Sequence, residues 1–153
     1  MTPLYLQEAL VKDLREIFKD DRFENTLGER VKMNVFEQQL PVIQSDEDPD
    51  PVPYSLVRLE TGKTEGDEAQ EVSVTILFGL INQNPVNDGH KDVLNVIQKV
   101  YERYMKNPML ANQFMFQDPF NWALQDEESF PYFFGAASLT FRASAIRKED
   151  KFA

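Results

Sequence analysis

The chain has no cysteine and a single histidine, His90. Disulfides, thiolate nucleophiles and thiolate-bound zinc are thereby excluded, and one imidazole cannot form a histidine cluster within one chain. Glycine is scarce, with 6 in 153 residues. No glycine-rich phosphate loop, helical His-Glu-x-x-His, Gly-x-Ser-x-Gly or Asp-x-Asp-x-Asn-Gly calcium loop occurs. Long apolar runs are missing too: none approaches the roughly 20 residues of a membrane-spanning helix. Met1-Thr2-Pro3-Leu4-Tyr5 lacks the basic start and small-residue cleavage site of a secretory signal, so a cytosolic product is expected. Positive charge is also in deficit, 16 Lys or Arg against 26 Asp or Glu for a net charge of −10. That balance argues against unassisted binding to nucleic acid or to anionic membranes. No cofactor and no membrane association are expected.

What the chain does hold is ordinary globular material, 42% hydrophobic and 27% charged, with 12 Phe, 5 Tyr and 1 Trp to fill a core. At this length one core suffices, and residues 1–153 read as a single domain. The negative charge is unevenly placed. Asp46, Glu47, Asp48 and Asp50 lie in one proline-rich stretch, Glu65, Asp67, Glu68 and Glu71 in a second, and Asp126, Glu127 and Glu128 in a third. Removing these 11 from the 26 acids leaves 15 against 16 bases, so the body is nearly neutral and the excess sits in three expected loops. Acidic loops of this kind keep a small protein soluble. In a ring of subunits they would also gather at a rim or line a bore and repel passing DNA from the wall.

Periodicity predicts a helix over residues 4–19, with Leu6, Leu10, Leu14, Ile17 and Phe18 on one face, Thr2 as N-cap and Pro3 at the first helical position. Residues 25–30 read as a turn and 33–39 as a strand, suited to an edge. Three prolines and four acids make 45–53 a mobile loop. A strand over 54–60 and a flexible acidic connection over 61–71 follow. The clearest strand is 71–81, where Val72, Val74, Ile76, Phe78 and Leu80 alternate with smaller or polar residues and should face the core.

A second helix is predicted from residue 89 or 90 to 106, capped by Asp88, with Val93, Val96, Ile97, Val100, Tyr101 and Tyr104 as its stripe. Strands over 114–117, 121–124 and 132–143 complete the chain, before a loose charged tail at 147–153. The fold class is therefore α+β, an antiparallel or mixed sheet with two helices on one face, in the order α-β-β-β-α-β-β(-β). On the other face Leu77, Ile81, Tyr132, Phe133 and Phe134 are apolar enough to serve either as a subunit interface or as a second core layer.

Chemistry is hard to place. The paired carboxylates fall in loops punctuated by Pro and Gly, not in the partly buried sites that catalysis needs. Divalent cations between subunits would require several such carboxylates in rigid geometry. His90 reads as an exposed first-turn residue in preference to a general base, since no nucleophile is identifiable beside it. Trp122, just after the Asp118-Pro119 turn, reads as core closure in preference to an anchor for a partner.

From Pro53 onward the chain resembles the tail terminator, or tail completion, proteins of tailed phages and prophages, notably of Gram-positive hosts. The segments carrying the likeness are Pro53-Tyr54-Ser55-Leu56-Val57-Arg58-Leu59, Val72-Ser73-Val74-Thr75-Ile76-Leu77-Phe78-Gly79 and Asp92-Val93-Leu94-Asn95-Val96-Ile97. Two more are Phe116-Gln117-Asp118-Pro119-Phe120-Asn121-Trp122-Ala123-Leu124-Gln125 and Pro131-Tyr132-Phe133-Phe134-Gly135. The resemblance implies a small α+β subunit forming a homo-oligomeric ring, usually a hexamer, on the last ring of the tail tube. There it stops polymerisation and offers a head-joining surface. Implied partners are tail tube protein and a head-completion or connector protein, with DNA only in passage and no specific nucleic-acid binding. Implied location is the head-proximal end of the virion tail, after assembly in the bacterial host cytoplasm. No catalytic or metal residue is carried over. Two other classes compete: an acidic module that mimics DNA and blocks a DNA-binding enzyme, and a small hydrolase using loop carboxylates.

Overall fold

The computed structural model describes residues 2–66 and 69–143. The first helix, α1, spans Pro3–Ile17. Thr2 caps it as expected, its hydroxyl accepting the Tyr5 N–H at 3.3 Å, and Pro3 occupies the first turn, where a missing N–H costs nothing. Leu6, Leu10, Leu14 and Phe18 are buried. Residues 23–31, where only a turn is expected, also pair as a small ribbon, β1 (Phe23–Glu24) with β2 (Arg30–Val31). The Asn25 carboxamide accepts the N–H groups of Leu27 and Glu29, and Gly28 takes a φ of 78°, so the turn is tight enough to bring its flanks together.

The main sheet is built from β3 (Asn34–Glu37), β4 (Tyr54–Lys63), β5 (Gln70–Ile81), β6 (Met109–Leu110), β7 (Phe114–Leu124) and β8 (Tyr132–Ala143). The second helix, α2 (His90–Lys106), falls between β5 and β6. The spatial order is β3-β4-β5-β8-β7-β6. β3 runs parallel to β4 and every other pairing is antiparallel, so the sheet is mixed. A parallel neighbour needs a long crossover, and residues 38–53 supply it. The α+β class and the two-helix arrangement are as expected from the sequence.

Both helices pack on one sheet face, α1 over β3 and β4 and α2 over β7 and β8. Leu6, Leu10 and Leu14 meet Val93, Val96 and Val100 of α2 and the predicted set Val72, Val74, Ile76, Phe78 and Leu80 of β5. Several boundaries differ from expectation: β4 runs on to Lys63, β3 covers only Asn34–Glu37, and β6 lies where no strand is expected. The segments 114–117 and 121–124 are one strand, β7, whose register slips between Gln117 and Asn121 as it passes Asp118 and Pro119. Asp88 does not cap α2. Gly89 holds that position because the Phe133 ring lies against it; a Cβ there would stand 2.3 Å from a ring carbon. Finally, α1 ends before Lys19.

The helices are joined by a half-buried polar contact. Asp13 Oδ2 accepts the Tyr104 hydroxyl at 2.6 Å, and Arg103 Nε lies 3.2 Å from the same carboxylate. The end of β3 is pinned in a similar way: buried Gln7 donates to Val57 O at 2.9 Å and to Gln38 Oε1 at 3.0 Å. Gln38 in turn bonds both backbone groups of Leu59.

Burial pushes the Tyr104 phenol well above its ordinary pKa, with the Asp13 charge and hydrogen bond adding to it. The folded chain therefore keeps a proton that the unfolded chain releases near pH ~10. Stability from this group is intact below that pH and falls as pH rises toward the folded-state value. Urea denaturation above pH ~10 is expected to show a steeper loss for the native chain than for Tyr104→Phe, which costs about 1 kcal/mol at neutral pH. Parallel pH profiles would contradict this assignment.

Candidate assembly surfaces

The strand register fixes where each acidic group lies. Tyr54, Gly79 and Phe134 share one row, with the start of β4, the end of β5, the start of β8 and the end of β7 at the same end of the sheet. Asp46, Glu47, Asp48 and Asp50, in the connection before β4, and Asp126, Glu127 and Glu128, in the turn after β7, come to that end. Asp50 accepts the Tyr132 hydroxyl at 3.2 Å, and Asn87 donates to Glu128 at 2.8 Å. Glu65 and Glu71 belong to the β4–β5 hairpin at the opposite end, where Lys63 faces Glu71 in register and lies 3.0 Å from Glu65. Asp67, Glu68 and the tail 147–153 lie outside the described residues. Among the described residues the acidic side chains thus divide between two ends instead of gathering at one.

Two of these carboxylates serve their own loop. Asp48 accepts the N–H groups of Gln44 and Ser45 at 2.7 and 3.3 Å, and Asp50 accepts that of Val52 at 2.9 Å. These are turn-forming bonds, which sequence counting of charge does not reveal. Among the described residues no three Asp, Glu or His side chains converge on a point that could hold a metal ion. His90 is exposed at the first turn of α2, beside the turn that carries Asp126, Glu127 and Glu128. No helix among the described residues is long and apolar enough to cross a membrane.

The five apolar residues of 77–134 do not share a face. Leu77, Ile81, Tyr132 and Phe134 pack with Val52, Tyr54 and Leu56 behind the sheet, where Leu40 and Val52 of the 38–53 connection cover them. Phe133 alternates to the other side and joins the helix-side core against Gly89. The back of the sheet is thus a small second core under its own crossover loop.

Trp122 corrects the reading that made it core: it is 55% exposed. It borders an open groove of about 540 Å³ with Leu94, Ile97, Tyr101 and Phe120. Tyr101, counted in the stripe of α2, is 36% exposed at the same place, its ring 5.2 Å from that of Phe120. Trp122 sits at the margin of the sheet because β6 pairs only with Phe114 and Met115, leaving the far half of β7 without an outer neighbour among the described residues. Rim aromatics beside an unpaired strand are contact surface of the sort that partners bury.

No protein-family model matches the chain, and no curated protein is significantly similar to it.

Core and rim should respond differently to truncation. Leu56→Ala, at a fully buried site behind the sheet, is expected to cost about 2–5 kcal/mol in urea denaturation. Trp122→Ala is expected to change stability by less than about 0.5 kcal/mol. A large loss for Trp122→Ala would mean that the ring supports the fold and is not free contact surface.

Proposed function

We propose that this chain is a structural subunit that assembles into a ring on the end of a phage or prophage-derived tail tube, stops its growth and presents a head-joining surface. The reading rests on the resemblance to tail terminators. Its five segments form the framework itself, within β4, β5, α2, β7 and the start of β8. The single structural observation that supports it best is the exposed Trp122 and Tyr101 groove alongside a length of β7 that has no outer neighbour among the described residues. A chain that works alone gains nothing from leaving large aromatics beside an open strand, whereas a subunit covers them on assembly. The neighbours in this reading are other copies of the chain, tail tube protein and a head-completion protein. DNA passes through without specific contact, past exposed carboxylates that repel it. No step of catalysis is assigned.

The test is assembly. Light scattering should find an oligomer, formed alone or on tail tubes, and electron microscopy should find tubes of defined length capped at one end when the protein is present. A strict monomer that leaves tube elongation unchanged would remove the proposal.

A further inference from the structure

We propose that a second copy of this chain docks its β3 against the free half of β7, carrying the sheet across the subunit boundary. This rests on the assembly reading above and names the surfaces that join. At one margin, β7 beyond its bulge, Asn121–Leu124, is paired among the described residues with β8 alone. The Gln125 N–H donates to Phe134 O at 3.0 Å. Alternation in an antiparallel ladder then turns the N–H and C=O of Trp122 and Leu124 outward.

At the other margin, the Asn34 N–H donates to Pro53 O and the Gln38 N–H to Val57 O, each at 2.9 Å, so Val35 and Glu37 are the residues facing outward. Of these outward groups only Glu37 O has a backbone partner among the described residues, Gln39 N–H at 2.7 Å, and it retains a second lone pair.

The two margins match in length, height, direction and phase. Asn34 shares its row with Tyr54, Gly79 and Phe134, and Gln125 continues that row. The free stretches therefore lie at the same end of the sheet. β3 and β7 run in opposite directions, so a copy set beside the first in the same orientation presents β3 antiparallel to β7. If the rows are kept, Val35 meets Leu124 and Glu37 meets Trp122. Those are the outward-facing residues on both sides, so each pair can exchange two N–H to C=O bonds.

Charge favours another copy as the occupant. Beyond the paired stretch Lys32, exposed and without an ion-pair partner among the described residues, comes toward the exposed acidic turn of Asp126, Glu127 and Glu128. The side chain of Trp122 lies on the helix side of the sheet, in the row of Val57, Ile76 and Ala137. α1 lies over β3 on that same side and travels with it, which brings cover to the groove.

The absence of native cysteine makes the contact testable by cross-linking. Asn34 and Gln125 are both exposed and would form a non-hydrogen-bonded pair across the boundary, with Cα atoms about 4.5 Å apart, within disulfide reach. Mild oxidation of the double variant Asn34→Cys/Gln125→Cys is expected to give a ladder of covalent multimers, while each single variant stays monomeric on a non-reducing gel. A double variant that stays unlinked overturns the proposal, as does Gln125→Cys linking into dimers by itself, the mark of a β7–β7 contact. Trp122→Ala should keep its circular dichroism spectrum and associate roughly tenfold or more weakly; undiminished association also overturns it. An oligomer by light scattering without the cross-link leaves the ring reading standing and removes this contact. Linked multimers that ignore tail tubes keep the contact and remove the tail reading.

Discussion

β5 is hydrogen-bonded along both sides and packed on both faces, and the rest of the molecule is arranged around that double burial. Val72, Val74, Ile76, Phe78 and Leu80 point toward the helices, while Leu77 and Ile81 point into the smaller core behind. A slip of one residue would exchange the two sets and put the larger set under a loop that cannot hold it. Gly79 fits the same constraint: the Tyr54 ring lies where a side chain would be, 2.3 Å from the Cβ position. With β5 held in one register, β4 and β8 follow, and the helices have only one face left to cover.

Strong alternation is what made β5 and the two helices legible from residues alone, because burial on one stripe leaves a periodic record. The direction of β3 left no such record. Its four residues pair with β4 in parallel through a crossover whose prolines and acids read only as a loop. β1 and β2 are two residues each, too short for any period to show. Composition groups Phe133 with its neighbours, and only the pleat separates it from Tyr132 and Phe134.

The candidate surfaces were partly legible. The acidic groups could be counted, but their division between two ends depends on strand order, which is set by long-range pairing. Trp122 looked like core because large aromatics usually are. Its exposure follows from two distant facts: β6 stops after Leu110, and β7 resumes beyond Pro119 with no outer neighbour among the described residues. Tyr101 misled for a related reason, since it lies at the edge of the α2 stripe where the sheet beneath it ends.

The parallel sense of β3 has a consequence for symmetry. Were β3 antiparallel to β4, both margins of the sheet would run the same way, and copies in one orientation could join only through a parallel pair, slightly less stable per residue. As built, copies in one orientation can follow one another through an antiparallel pair, and repetition of one head-to-tail contact is what closed cyclic arrays need. A circle made so has a front and a back: one rim carries the loops of 46–50 and 126–128, the other the β4–β5 hairpin. Such an object can meet unlike neighbours above and below.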